Sequence, residues 1–139
     1  MKERTFCTIK PDAIAAGKAD EIRRRLEAAE FRVLAARQRH LTRTQAEVFY
    51  QVHRERPYFK ALCEFMSSGP CLTMVLERDN AILELRVLMG ATDPANAREG
   101  TIRKNFGTSL VANAIHGSDG SDAARSESAY FFAGIDLLE

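Results

Sequence analysis

The chain has 139 residues, with 20 lysines and arginines against 19 aspartates and glutamates, a formal net charge of +1. With 45% apolar and 28% charged residues, it has the composition of one globular domain. A disordered chain is poorer in apolar residues, a general nucleic-acid binder is far more basic, and no apolar run approaches the roughly 18 residues of a membrane span.

In chain order, Phe6 to Ile9 read as a short buried strand that Pro11 ends. Asp20 can cap a helix to about Ala29, with Ile22, Leu26 and Ala29 on one face and an i,i+4 pair, Glu21 and Arg25, on the other. The triplet Arg23-Arg24-Arg25 then reads as a solvated helix face. Phe31, Val33 and Leu34, continuing to His40, read as a second strand. Thr42 and Gln45 have capping-box spacing and open a helix with Ala46, Phe49 and Val52 on one side. Pro57 is placed for the first turn of the next helix, which carries Leu62, Phe65 and Met66 and stops at Ser67-Ser68-Gly69-Pro70.

Cys71 to Leu76 reads as a third strand. Asp79 or Asn80 caps a helix with Ile82, Leu85, Leu88 and Met89 inward, and Gly90 ends it. From Ala91 to Gly120 the chain is only weakly periodic, apart from a turn or two of helix over Ile102 to Phe106. Long irregular segments inside compact domains are usually functional. A helix over about Ala123 to Ser128 and a last strand, Tyr130 to Ala133, complete the order. That order fits an α+β, ferredoxin-like split βαβ fold: a four-stranded, mostly antiparallel sheet with helices on one face. Cys7, Cys63 and Cys71 are widely spaced and lack a Cys-x-x-Cys pair, so they read as small buried residues in a reducing cytoplasm. Met1-Lys2-Glu3-Arg4-Thr5 lacks the apolar stretch of a signal peptide.

His40 at a strand end and His53 on a polar helix face read as structural or surface residues. His116 is different. It lies in Asn113-Ala114-Ile115-His116-Gly117-Ser118-Asp119-Gly120, where small residues let backbone N–H groups approach an anion. Neutral imidazole is a nucleophile near neutral pH. Lys10 ends the first strand, Arg86 lies off the apolar face of its helix, and Arg103 lies in the long loop. Singly, each reads as a surface cation. Together with His116 they suggest phosphate chemistry, because a transferring phosphoryl group needs its oxygens neutralised.

These residues are set in segments that resemble the nucleoside diphosphate kinase family over nearly the whole chain. The carrying segments are Ile9-Lys10-Pro11-Asp12-Ala13, Phe49-Tyr50 with His53 and Arg56-Pro57, and Ser68-Gly69-Pro70. They continue through Leu88 to Pro94, Gly100-Thr101-Ile102-Arg103 and Asn113 to Asp119. The resemblance implies one domain over residues 1–139 that moves the γ-phosphate of a nucleoside triphosphate to a nucleoside diphosphate. It implies Mg²⁺ on the phosphates and a ping-pong route through a phosphohistidine at Nδ1 of His116. Glu127 matches the glutamate that holds the other ring nitrogen, and Ser118 the serine that supports both. Lys10, Arg86, Thr92, Arg103 and Asn113 match nucleotide-contacting positions, and Tyr50 a tyrosine near the histidine. Tyr58 matches the aromatic on which the base stacks, a contact that barely distinguishes one base from another. Leu62 and Leu110 either wall that slot or pack as ordinary core.

The chain departs from the family pattern at Tyr58, where phenylalanine is usual, at Gly120, where serine is usual, and at Glu99, where many members have proline. The resemblance also implies a homo-oligomer, a tetramer in preference to a hexamer, with no membrane and no specific nucleic acid as partner. The alternative function on the same fold is a catalytically weak scaffold or regulatory protein, which forms no phosphoenzyme.

Overall fold

The computed structural model describes residues 1–137. Strand β1 (Lys2–Ile9) pairs antiparallel with β3 (Cys71–Asp79) along its whole length, from Lys2 opposite Asp79 to Ile9 opposite Leu72. Strand β2 (Arg32–Arg39) lies on the far side of β3, with a register shift between Val33 and Ala35. Strand β4 (Ile115–Gly117) lies on the far side of β1, with His116 opposite Thr8. The sheet order is β2-β3-β1-β4, and each pairing is antiparallel. This is the expected ferredoxin-like α+β architecture.

The helices are α1 (Pro11–Ala15), α2 (Ala19–Ala28), α3 (Arg43–Phe49), α4 (Phe59–Met66), α5 (Ala81–Met89), α6 (Ile102–Phe106) and α7 (Ser121–Phe131). They cover both faces of the sheet rather than one. Alternation along β1 is the reason. Cys7 and Ile9 point into a core with Ile22 and Leu26 of α2 and Leu85 and Met89 of α5. Phe6 points the other way, onto Val75, Phe49, Phe131 and Phe132. A third cluster joins α3 and α4 through Ala46, Tyr50, Leu62, Cys63 and Met66.

The main correction concerns the last strand. Tyr130 and Phe131 continue α7, and the fourth strand is the three-residue segment that carries His116. Aromatic residues favour strands locally, but here Phe131 stacks on Phe6 from the helix, with ring centroids 5.2 Å apart. Tertiary burial therefore overrides propensity.

Smaller differences lie at helix ends. Helix α2 begins at Ala19, so Asp20 sits in its first turn rather than capping it; a carboxylate there still favours the helix dipole. Helix α4 begins at Phe59, beyond Pro57. Val52 falls in a 3₁₀ turn after α3 and is exposed. The N-cap of α5, Asn80, makes no side-chain bond; instead Glu3 Oε1 accepts from the backbone N–H of Ile82. The capping box of Thr42 and Gln45 forms as expected.

Candidate active site

His116 is the middle residue of β4. Its neighbours Ile115 and Gly117 turn toward α5, so strand alternation sends the imidazole to the opposite face, among aromatic rings. Phe49 and Tyr50 meet it edge-on, at centroid distances of 5.4 and 5.9 Å. Gly117 lets β4 pack closely on α5: a Cβ there would lie 2.9 Å from the side-chain ends of Leu85 and Met89, which would have to shift.

Glu127, on α7, places Oε1 2.8 Å from His116 Nε2. Ser118 Oγ donates to the same Oε1 at 2.9 Å. Ser118 is itself tied to β1: its N–H donates to the carbonyl of Phe6, and its Oγ accepts from the N–H of Phe6. The carboxylate thus accepts from Nε2–H, which leaves Nδ1 with the ring's lone pair. A carboxylate partner of this kind fixes both tautomer and orientation.

The segment entering β4 is shaped by Asp12. Its Oδ2 accepts from the N–H of Ala114, and the carbonyl of Ala114 accepts from the N–H of Lys10. Ala114 is held at φ 74°, the left-handed region. Burial raises the pKa of Asp12, while the backbone N–H of Ala13 and the charge of Lys10 oppose that rise.

The cations converge by separate routes. Lys10 is buried at the end of β1, and its Nζ donates to the carbonyl of Val111 at 3.3 Å. Burial, with Arg103 adding to it, brings its pKa down to about 7. Arg103, on α6, donates from Nη1 to the carbonyl of Gly90 and from Nη2 to that of Ile115. Its Nε is buried without a partner. Burial and then Arg86 push its pKa down to about 10. Buried cations with undersatisfied donors are suited to an anion arriving from outside. Gly90 lets this segment close. It sits at φ 86°, and a Cβ there would come within 2.5 Å of Thr101.

Asn113 Nδ2 donates to the carbonyl of Thr92, and its Oδ1 is buried without a partner. Tyr50 is buried, its hydroxyl is unpartnered, and burial pushes its pKa up. All of these groups open on one cleft of about 750 Å³. The cleft brings together Lys10, Tyr50, Tyr58, Leu62, Arg86, Thr92, Arg103, Leu110, Asn113, His116 and Glu127. Ser118 lies behind it, fully buried. Leu62 both borders the cleft and packs in the α3–α4 core, whereas Leu110 is exposed at the rim.

Sequence reasoning passed over His53, Asp119 and Asp122, which also line the cleft. His53 Nδ1 lies 3.4 Å from the hydroxyl of Tyr58. Burial and the neighbouring His116 lower its pKa. Its signal was its place one turn after Tyr50. His40 stays outside, with Nε2 3.0 Å from the carbonyl of Ser67. A second cleft, of about 820 Å³, lies between the start of β1 and α7. Its arginines are already engaged, Arg4 with Glu77 and Arg125 with Asp122.

A ferredoxin-like fold with a carboxylate-held histidine facing buried cations has the equipment of a phosphotransferase. The family model described as nucleoside diphosphate kinase matches residues 3–137. A nucleoside diphosphate kinase from Syntrophotalea carbinolica is 55% identical over 136 residues, covering 98% of this chain and 99% of that protein. One from Rhodovulum sulfidophilum is 51% identical, covering 98% and 97%. Among solved structures, the Aquifex aeolicus nucleoside diphosphate kinase superposes with a TM-score of 0.96 at 40% identity, covering 99% of this chain and 100% of that one. The Halobacterium salinarum nucleoside diphosphate kinase, solved in complex with CDP, gives 0.95 at 38% identity, covering 100% and 93%.

The chain belongs to the nucleoside diphosphate kinase family. Its function is the enzymatic one of that family; the scaffold alternative is not favoured. Among the described residues no helix is long and apolar enough to cross a membrane.

Proposed function

We propose that the chain moves a γ-phosphate from a nucleoside triphosphate to a nucleoside diphosphate in two half-reactions on His116. The carrying observation is the bond between Glu127 Oε1 and His116 Nε2, which leaves Nδ1 as the nucleophilic atom. In the first half-reaction the Nδ1 lone pair forms a bond to the γ-phosphorus. The bond from that phosphorus to the β,γ-bridging oxygen breaks, and the diphosphate leaves with its electrons. In the second, a terminal oxygen of the acceptor diphosphate takes the phosphoryl group and the lone pair returns to Nδ1. Glu127 stabilises the positive charge that grows on the ring, and Ser118 holds the carboxylate.

Lys10, Arg86 and Arg103 neutralise the transferring oxygens, which is where electrostatic catalysis acts. Thr92 serves the phosphates, and Asn113 with Lys10 reaches the sugar hydroxyls and the phosphate end. Tyr50 packs the ring of His116 from its edge. Tyr58 stacks the base between the apolar walls of Leu62 and Leu110. The relative solved with CDP supports a nucleotide in this cleft.

The family's kinases generally use a divalent cation, and we assign Mg²⁺. The donors fit an ion that keeps much of its water and is carried by phosphate oxygens. Asp119 and Asp122 line the cleft, and among the described residues no group of three or more His, Cys, Asp or Glu side chains could hold an ion alone. Such an ion supplies charge neutralisation on the phosphates. We further assign one domain over residues 1–139, a homotetramer in preference to a homohexamer, and the cytoplasm. Three free, buried cysteines support a reducing compartment, and light scattering tests the assembly.

The decisive experiment is incubation with γ-labelled ATP. The expected product is an acid-labile, base-stable phosphoenzyme that His116→Ala abolishes and any nucleoside diphosphate discharges. Wild-type protein that stays unlabelled overturns the reading.

A further inference from the structure

We propose that Arg25 is a positioning residue for phosphoryl transfer: from α2 it clamps α6, and through α6 it sets the guanidinium of Arg103. The sequence suggested a solvated pair of Arg25 with Glu21. In the structure Arg25 instead reaches across to the long loop. Its Nη1 donates to Asn105 Oδ1 at 2.7 Å and to the carbonyl of Gly100 at 3.4 Å. Its guanidinium carbon lies 4.9 Å from the centroid of the Phe106 ring. One side chain therefore reaches both ends of α6: Gly100, just before its N-cap Thr101, and the two residues at its close.

The grip matters because α6 has only five residues, far below the roughly 12–15 at which an isolated helix holds in water. Other contacts also seat it, among them Phe106 against the core and the bonds of Arg103 to the carbonyls of Gly90 and Ile115. Ile102 is fully buried in the core, and Thr101 Oγ1 accepts from the N–H of Lys104 at its start. These last two act on the N-terminal half. At the C-terminal half Arg25 adds a polar hold to the core packing of Phe106, at the residues just after Arg103. Arginine suits the task because its planar fork can donate at its edge while its face lies on a ring. A lysine's single ammonium cannot do both.

Arg103 has little latitude. Its Nη1 and Nη2 each serve one carbonyl, and its buried Nε has no partner. Its remaining donors must meet a phosphate at fixed positions. A displacement of about 1 Å in such a group can cost about 100-fold in rate. This inference rests on the proposed role of Arg103 and extends it to a residue outside the cleft.

The test measures steady-state kinetics of Arg25→Met, Arg25→Lys and Asn105→Ala, in wild-type and Arg103→Ala backgrounds, with thermal unfolding as the control for folding. Arg25→Met is expected to lower kcat about 10-fold, with the nucleotide KM held within about twofold. Asn105→Ala, which removes one of the three contacts from an exposed position, gives a smaller fall in the same direction. Arg25→Lys restores only part of the rate. In the Arg103→Ala background, Arg25→Met adds less than about twofold, because coupled residues are non-additive.

A general loosening of the fold predicts the opposite: the two losses multiply and KM moves with kcat. That result overturns the inference, as does an unimpaired, folded Arg25→Met enzyme beside an impaired Arg103→Ala enzyme. An unimpaired Arg103→Ala enzyme overturns the parent reading of Arg103 and the inference with it.

Discussion

His116 Nε2 and Glu127 Oε1 lie 2.8 Å apart, joining strand β4 to helix α7. The same carboxylate oxygen accepts from Ser118 Oγ, which is anchored to the backbone of Phe6. The imidazole is therefore oriented from the centre of the sheet. Replacing Glu127 by Gln keeps an acceptor but removes the charge that balances the ring as the phosphate arrives. The expected result is a fall of about 10- to 100-fold in the rate of phosphoenzyme formation, with nucleotide affinity little changed. Rapid-quench measurement of labelled enzyme checks it, and an unchanged rate would remove Glu127 from the mechanism.

Tyr58 lines the cleft, its half-buried ring held by the α3–α4 core and by His53, and we assign its cleft-side face to the base. Base stacking on an aromatic ring is worth about 1–3 kcal/mol. Tyr58→Ala should therefore raise the nucleotide KM about 5- to 150-fold, for every base, and leave kcat near wild type. Tyr58→Phe keeps the ring and should stay within about threefold. Steady-state kinetics across several nucleoside diphosphates separate the two variants. Unaltered affinity in Tyr58→Ala would be incompatible with stacking.

Lys10 carries a pH prediction. Its pKa in the folded protein is about 7, against 10.5 ordinarily, because burial and then Arg103 oppose its charge. In the empty enzyme it loses its proton as pH rises through about 7, whereas a bound polyphosphate favours the cation. At pH 8 nucleotide binding should take up close to one proton, and affinity should weaken as pH climbs further. Calorimetry in buffers of different ionisation enthalpy reads the uptake, and Lys10→Met should abolish it. The stability consequence has a definite sign. Between about 7 and 10.5 the unfolded chain holds a proton that the folded chain lacks, so this group makes stability rise with pH across that window.

Asp12 predicts a stability effect beside the site. It accepts from the buried N–H of Ala114, which sits at φ 74°. Asp12→Ala leaves that donor orphaned and should destabilise the fold by about 1–3 kcal/mol. Asp12→Asn keeps an acceptor and should recover most of the loss. Chemical denaturation of both variants measures the difference, and equal loss in the two would rule out the hydrogen bond as the cause.

The sequence by itself pointed to the chemistry of this protein in two ways. Local signals, a histidine followed by small residues and cations at the end of β1 and in the long loop, only suggested phosphate chemistry. The resemblance of whole segments to a family supplied the other site residues, Glu127, Thr92, Asn113 and Tyr58 among them. A capping box at Thr42 and core periodicity along α2 and α5 marked the helices. The sequence also carried three of the four strands, β1, β2 and β3, and the α+β class, because alternation and helical spacing are local properties of the chain. The balanced charge of +1 gave no sign that Lys10, Arg86 and Arg103 converge on one cleft, where they lie among the carboxylates of Asp119, Asp122 and Glu127.

What only the tertiary structure decided is long-range or too short to leave a period. A three-residue strand has no alternation to read, so β4 was expected at Tyr130 to Ala133 and instead lies at His116. The aromatic end of α7 has the composition of a strand, yet it is helical and stacks Phe131 on Phe6. His53 looked like a surface residue because its cleft is assembled from segments far apart in the chain. Arg25 looked solvated because its partners at Gly100 and Asn105 are 75 and 80 residues away. Side-chain type and spacing are properties of the chain, whereas burial, register and pairing across such distances exist only once the whole sheet has formed.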